Sequence, residues 1–159
     1  MAKEIEKKFL VHAKQLPTLQ NGKLYKQGYL CQKPLIRYRA VGNAVIITIK
    51  NVDVGGVNRD EFEFSNELSN EEIDKLTTLS IKKPIEKIRY KVEFGGLIWE
   101  IDVYQGENEG LMTADIELPN ENHVINFPEW IDKDVEITND PKYFNVNLGD
   151  NPYKSWSKD

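Results

Sequence analysis

Acidic and basic side chains alternate with apolar ones along several short segments of this chain, at the spacing of a β-strand. Because residues two apart on a strand share a face, this parity predicts one charged face and one apolar face. The predicted charged face holds eight acidic and eight basic side chains: Glu4, Glu6, Glu61, Glu63, Glu100, Asp102, Asp115 and Glu117, with Lys8, Arg37, Arg39, Lys50, Arg59, Lys87, Arg89 and Lys91. Paired carboxylates supply the oxygen ligands that suit Mg²⁺ or Mn²⁺, and arginine suits bidentate recognition of phosphate. The combination predicts a site for a metal-bound polyphosphate.

The charged face has two structural interpretations. An antiparallel sheet with one packed face and one solvated face is a common arrangement. Strands that close into a barrel would instead turn the charged face inward and create a wet interior that requires ligands. All four arginines of the chain fall on this face, and its carboxylates recur as alternating pairs, which favours the barrel. Neither GxxxxGK[ST] nor GxGxxG occurs, so side chains rather than a glycine-rich loop would hold the phosphates.

The elements that must position these side chains are mostly strands, which predicts a mainly β (α+β) fold. Strands are expected at residues 4–11, 35–40, 44–50, 59–64, 85–94, 97–104 and 113–118. Glycine-containing turns at residues 41–43, 55–56 and 95–96 are expected to close hairpins, so consecutive strands should be antiparallel.

Few helices are expected. Ser69 and Glu72 have the spacing of a capping box, which predicts a helix that runs to about Thr78. A second short helix is expected near Pro128. The segment after Pro141 fits a helix or a strand, and its apolar period does not decide between them.

Length, composition and charge limit the class of protein. The chain has 159 residues, of which 40% are hydrophobic and 30% charged, and no repeat or linker divides them, so a single domain over residues 1–159 is expected. No segment is apolar enough for a signal peptide or membrane helix, and the single cysteine, Cys31, excludes an internal disulfide, which together predict a cytoplasmic protein. The net charge of −5 argues against nucleic acid or a membrane as partner.

Eight short motifs occur along nearly the whole chain in a recognisable order. The first is Glu4-Ile5-Glu6-Lys7-Lys8, and it is followed by KQGYL at 26–30, IRYR at 36–39, TIK at 48–50, NRDEFE at 58–63, EKIRY at 86–90, EIDVY at 100–104 and DIE at 115–117. In these motifs and in their order the chain resembles the CYTH or triphosphate tunnel metalloenzyme family, whose N-terminal signature is ExExK.

The resemblance implies a closed antiparallel β-barrel of about eight strands that forms a charged tunnel, with helices packed outside. It also implies an enzyme, a metal-dependent hydrolase of inorganic triphosphate, with Mg²⁺ or Mn²⁺ as cofactor and a triphosphate-containing small molecule as partner. Relatives that make cyclic AMP from ATP or hydrolyse thiamine triphosphate keep those two activities open as alternatives. A non-catalytic polyphosphate or nucleotide sensor could use the same basic residues and is a further alternative. Assembly as a homodimer is also an open alternative.

The resemblance assigns roles by motif position. The metal ligands would be Glu4, Glu6, Asp115 and Glu117. The residues that hold the triphosphate would be Lys8, Arg37, Arg39, Lys50, Arg59, Lys87 and Arg89. Tyr29 and Lys87 would lie near the attacked phosphate as the catalytic pair, although a metal-bound water could need no protein base. Glu61, Glu63 and Asp102 are secondary candidates.

Two departures from the family pattern affect these expectations. Asp115 stands where the acidic residue is often glutamate, which shortens its reach to a metal. The segment Lys142-Tyr143-Phe144-Asn145 lacks the second basic residue of the KYKN pattern. The expected C-terminal plug over the tunnel rests on that segment.

Overall fold

Nine strands form one antiparallel sheet in the computed structural model, which describes residues 5–51 and 61–156. The strands are β1 (Ile5–Val11), β2 (Lys23–Gln32), β3 (Leu35–Val41), β4 (Ala44–Lys50), β5 (Glu61–Glu67), β6 (Ile85–Phe94), β7 (Leu97–Tyr104), β8 (Met112–Leu118) and β9 (Ile131–Glu136). Their order is β5-β4-β3-β2-β6-β7-β8-β1-β9. The mainly β antiparallel architecture is therefore confirmed. Within residues 5–51 and 61–156 no hydrogen-bonded ladder joins the edge strands β5 and β9, so closure of the barrel is not established.

The register confirms the parity predicted from the sequence. Residues directly opposite on neighbouring strands share a face, and Arg37 lies opposite Thr48, Arg89 opposite Asp102, and Lys8 opposite Asp115. The apolar face carries the main core, which includes Phe9, Trp99, Ile101, Ile116 and Trp130. The charged side chains of seven strands thus project from the other side of the same sheet.

Tight turns set this register. Gly95 and Gly96 link β6 to β7 with φ angles of 62° and 81°, values that glycine adopts without steric cost. The two-residue hairpin predicted there is confirmed, as is the turn at Gly42. The turn expected at Gly55-Gly56 lies outside the described residues.

One long helix covers part of the apolar face. Helix α1 (Asn70–Leu79) begins at the predicted capping box, where Ser69 and Glu72 exchange side-chain hydrogen bonds with each other's backbone N–H. Its Ile73 packs against Tyr38, Ala40 and Val45. This packing requires Gly28 on β2, because a Cβ there would lie 2.6 Å from Tyr38 Oη.

The prediction of a short helix near Pro128 is wrong. A turn at residues 129–130 leads into strand β9, whose Ile131 pairs with Val11 of β1. Strand β1 supplies the main-chain hydrogen bonds of β9, and the local sequence around Pro128 does not reveal this partner.

The segment after Pro141 consists of two short helical turns, Pro141–Tyr143 and α2 (Asn145–Leu148), and a third at Tyr153–Ser155. Leu148 of this segment is buried against Ile85, Tyr104 and Leu111. Ile85 and Tyr104 belong to the parity of the charged face. The C-terminal segment therefore covers one end of the charged face.

In the described part of the chain, no helix combines the length and apolar character needed to cross a bilayer.

Candidate active site

The middle of the charged face is buried. Six of its polar or charged side chains, all less than a tenth exposed, are Gln27, Thr48, Lys87, Asp102, Thr113 and Asp115. Ionised groups are costly to bury unless they are paired. The middle of the charged face is thus shielded from solvent, unlike the solvated side of a flat sheet.

Asp102 on β7 is the centre of an ion-pair network. Its carboxylate accepts a hydrogen bond from Lys87 Nζ at 2.8 Å and from Arg89 Nε and Nη2 at 2.7 and 2.9 Å. Burial acts to raise the pKa of Asp102, but the hydrogen bonds from Arg89 and the charge of Lys87 overcome this effect and lower it. Asp102 is therefore an anion that holds two cations, both of them predicted substrate ligands.

Lys87 and Arg89 respond differently to this environment. Burial lowers the pKa of the Lys87 ammonium, and the Asp102 charge opposes that shift only in part. Burial acts in the same direction on Arg89, but Asp102, Glu100 and Asp115 together raise its pKa. Arg89 Nη1 lies 3.3 Å from Glu100 Oε2, and its Nη2 lies 3.5 Å from Asp115 Oδ2. Arg89 is a permanent cation with a fixed orientation.

Carboxylates from three strands lie on the β7, β8 and β1 side of this network. Glu6 is opposite Glu117 in register, and Asp115 is opposite both Lys8 and Glu100. Lys8 Nζ lies 3.7 Å from Asp115 Oδ1. Desolvation and the charge of Asp115 raise the pKa of Glu6, and burial raises the pKa of Asp115. Burial is the larger cause of both shifts and favours the neutral form of each carboxyl group.

These carboxylates fit a hard divalent cation. Asp115 Oδ1 is buried, lies 3.7 Å from Lys8 Nζ and accepts no hydrogen bond among the described residues, so its hydrogen-bonding capacity is unused. Oxygen donors of this kind suit Mg²⁺ or Mn²⁺. Across residues 5–51 and 61–156, no three metal-binding side chains already converge on one point. Glu4, the remaining predicted ligand, lies outside the described residues.

The β3 side of the face carries cations without acidic partners. Arg37 and Arg39 have no carboxylate within ion-pair distance among the described residues. The Nε of Arg39 is buried and makes no hydrogen bond with residues 5–51 or 61–156. Burial lowers the pKa of Arg39, and the like charges of Arg37 and Arg89 add to the effect. An anion with several charges would satisfy the guanidinium groups of Arg37 and Arg39 at once.

Strand β5 supplies the second acidic flank. Glu61 Oε2 lies 3.7 Å from Lys50 Nζ, and Glu63 Oε1 accepts a hydrogen bond from Thr48 Oγ1 at 3.0 Å. Both glutamates are exposed. Arg59, predicted to bind phosphate, lies outside the described residues. The secondary candidates on β5 thus contact β4 in this structure.

Tyr29 and Lys87 share the charged face but are not adjacent. Lys87 lies opposite Tyr25 on β2 and Tyr104 on β7, whereas Tyr29 lies opposite Arg37. Four residues of strand separate Tyr25 from Tyr29, a distance of about 13 Å. The tyrosines nearest to Lys87 in the register are therefore Tyr25 and Tyr104.

Two tyrosines of this face were not among the predicted site residues. Tyr104 is almost completely buried, its ring centroid lies 5.6 Å from Lys87 Nζ, and its hydroxyl donates a 2.9 Å hydrogen bond to Asn145 Oδ1. Tyr104 has the same strand parity as Glu100 and Asp102, and this was the sequence signal that could have identified it. Tyr25 had no such signal, because no strand was predicted around it.

Comparison with known proteins places this arrangement in a family. A model of the CYTH domain matches residues 2–148. The chain is 42% identical to an inorganic triphosphatase of Acetivibrio thermocellus, over 99% of this chain and 100% of that protein. It is 31% identical to an inorganic triphosphatase of Nitrosomonas europaea, over 91% of this chain and 95% of that one.

The fold has a solved counterpart. The crystal structure of the inorganic triphosphatase NE1496 superposes on this chain with a TM-score of 0.73 and 26% sequence identity. The superposition covers 94% of this chain and 95% of that structure. The family model, over residues 2–148, includes the sequence position of every site residue named above. The chain belongs to the CYTH domain family.

Proposed function

We propose that this chain is a metal-dependent hydrolase of inorganic triphosphate. The observation that carries the proposal is the half-buried Arg39 guanidinium, which lies near Arg37 and Arg89 and has no acidic partner among the described residues. A triphosphate offers several charged oxygens at the spacing of a short chain, and guanidinium groups bind such oxygens in pairs. The relatives named as inorganic triphosphatases agree with this substrate.

The two sides of the charged face would have different roles in substrate binding. Arg37, Arg39, Lys50 and Arg59 would bind phosphate oxygens from the β3 and β4 side. Lys8, Lys87 and Arg89 would add positive charge from the acidic side, where Asp102 and Asp115 hold them in place. The substrate would lie between the cations of the β3 and β4 side and the carboxylates of the other side.

Glu6, Asp115 and Glu117, with Glu4, are the residues that would hold the divalent cation. When bound, the cation would neutralise charge on the phosphate oxygens and lower the pKa of a water ligand. Hydrolysis breaks one P–O–P bond as water attacks the terminal phosphorus, and yields phosphate and pyrophosphate. Phosphoryl transfer depends mainly on position and charge neutralisation, which the ordered cations of this face supply.

Lys87 and Tyr29 would contact different parts of the substrate. Lys87 is a buried cation fixed at 2.8 Å from Asp102, and it would stabilise charge on a phosphate oxygen. Tyr29 lies beside Arg37, so its hydroxyl would meet the substrate at the other end.

A tunnel formed by residues 1–159 as one domain is part of this proposal. Burial of Lys87 and Asp102 to 1% and 0% exposure on a sheet face supports a curled sheet, because a flat single layer would leave them in solvent. The C-terminal segment at Ile85 and Tyr104 would close one end, as the predicted plug requires.

A substrate panel tests the reaction class. Pure protein is incubated with Mg²⁺ or Mn²⁺ and, separately, triphosphate, ATP or thiamine triphosphate, and the products are identified. We expect phosphate and pyrophosphate from triphosphate as the dominant products. Cyclic AMP from ATP, preferred turnover of thiamine triphosphate, or tight triphosphate binding without turnover would each contradict the proposal.

A metal titration of two variants tests the division of roles. Glu6→Gln weakens the metal site, so we expect its defect to be partly relieved by raised Mn²⁺. Arg39→Ala removes up to two charge-assisted hydrogen bonds, which should lower kcat/KM about 30- to 1,000-fold, and extra metal should not restore it. Both variants are checked for folding by circular dichroism. Wild-type turnover and metal dependence in Glu6→Gln would make Glu6 a structural residue.

A further inference from the structure

Tyr25 lies between two arginines of the charged face. Its ring centroid is 5.1 Å from Arg89 Cζ and 5.9 Å from Arg39 Cζ. The register explains this arrangement, because Tyr25 is opposite Val41 on β3 and Lys87 on β6. The two arginines are thus its diagonal neighbours on either side, within reach of an aromatic ring.

The two arginines differ in what else holds them. Arg89 is fixed by two hydrogen bonds to Asp102, at 2.7 and 2.9 Å. Within the part of the chain that the structure describes, Arg39 has no acidic partner and its Nε makes no hydrogen bond. A long arginine side chain loses much conformational freedom when it is ordered. Among the described residues, the Tyr25 ring is therefore a contact that restricts the Arg39 guanidinium.

We propose that Tyr25 is a positioning residue that orients Arg39 toward the phosphate chain. The inference rests on the proposed triphosphate site and adds a residue to which no role was assigned. The ring holds two like-charged guanidinium groups on either side of it, which sets the spacing between them. Neighbouring phosphoryl groups of one substrate then meet one arginine each.

The kinetic test compares three variants. Tyr25→Leu removes the ring and should raise KM for triphosphate about 3- to 30-fold, the range of a partly buried cation–π contact, with kcat within about twofold. Tyr25→Phe keeps the ring face and should stay close to the wild type. Tyr90→Leu is the matched control, because Tyr90 lies on the apolar face of β6 and packs against the core. It should lower stability and leave KM unchanged.

A double mutant separates positioning from general damage. If Tyr25 acts through Arg39, Tyr25→Leu should have little further effect on KM in an Arg39→Ala background. Full additivity of the two effects would overturn the inference. A wild-type protein that neither binds nor hydrolyses triphosphate would overturn the proposed function instead. An active wild type with an unchanged Tyr25→Leu variant would overturn the inference alone.

A measurement on the wild type does not depend on the folding of any Tyr25 variant. The chain has four arginines, so its ¹⁵Nε–¹Hε spectrum is simple to assign with Arg39→Lys and Arg89→Lys. We expect ring-current upfield shifts for Arg39 and Arg89 and movement of the Arg39 signal when triphosphate is added. An unshifted Arg39 signal would show that its guanidinium does not lie on the ring.

Discussion

Replacement of Asp102 by asparagine tests the ion-pair network at the centre of the charged face. Asp102 is completely buried and balances two cations, Lys87 and Arg89. Loss of one partner of a buried ion pair costs about 3–5 kcal/mol, because the remaining charge is left without compensation. A domain of this size loses about 2–4 °C in Tm per kcal/mol, so the expected decrease is about 6–20 °C.

The deficit should depend on pH in a direction fixed by Lys87. Burial already lowers the pKa of Lys87, and Asp102 opposes the shift, so the pKa falls further in Asp102→Asn. A lysine whose pKa is lower in the folded chain than in the unfolded chain destabilises the fold at any pH below its folded-state pKa, because its charged form must then be buried. This destabilisation decreases as the pH rises from the folded-state pKa toward the unfolded-state pKa of 10.5. The deficit should therefore be largest near neutral pH and smaller in alkali.

Urea unfolding of both proteins at about pH 6, 7.5 and 9 measures the free energies, provided that the transitions are two-state. Glu109→Gln is the matched control, since Glu109 pairs with Lys154 at 3.6 Å and their side chains are 72% and 50% exposed. That exposed pair should contribute at most about 1 kcal/mol. An Asp102→Asn variant as stable as the control variant would refute the assignment of Asp102 as the required counter-ion.

Two further predictions concern packing around the site. Gly28→Ala places a Cβ against the buried Tyr38 ring and should lower the free energy of unfolding by about 1–3 kcal/mol; an unchanged urea midpoint would contradict the close approach. Tyr104→Phe removes the hydrogen bond to Asn145 Oδ1 and should cost about 1 kcal/mol. Asn145→Leu should remove the same hydrogen bond, and we expect proteolysis to cut the C-terminal segment of this variant faster than that of the wild type. Equal cleavage rates in the two proteins would show that the hydrogen bond does not anchor the segment.

Strand parity was enough to predict which side chains share the charged face. Arg37, Arg39, Lys87 and Asp102 are on that face because a strand repeats every two residues, a rule that holds whatever the strand order. The choice of partners was not predictable in this way. Arg89 meets Asp102 because β6 and β7 are joined by a two-glycine hairpin in one register, and a shift of one residue would have put them on opposite faces.

The elements that were missed owe their structure to the strands with which they pair. β9 has the sequence IDKDVE, whose charged residues do not favour a strand, and it forms by pairing with β1. β2 contains Gly28, which breaks the alternation at the position where Tyr38 needs space. Tyr25 was missed together with this strand. Pairing partners and side-chain volume, rather than local propensity, decide both cases.

The position of β1 between β8 and β9 has a consequence for the order of folding. Ile5 pairs with Leu118, and Lys8 N–H donates a hydrogen bond to Thr138 Oγ1, a separation of 130 residues. Ribosomes add about 5–20 residues per second, so the first strand waits roughly 5–20 s before its partners have been synthesised. The hairpins from β2 to β7 can form during that interval. The carboxylates of Glu6, Asp115 and Glu117 come together only after synthesis has passed β8, so the acidic side of the charged face is assembled after its arginines are in place.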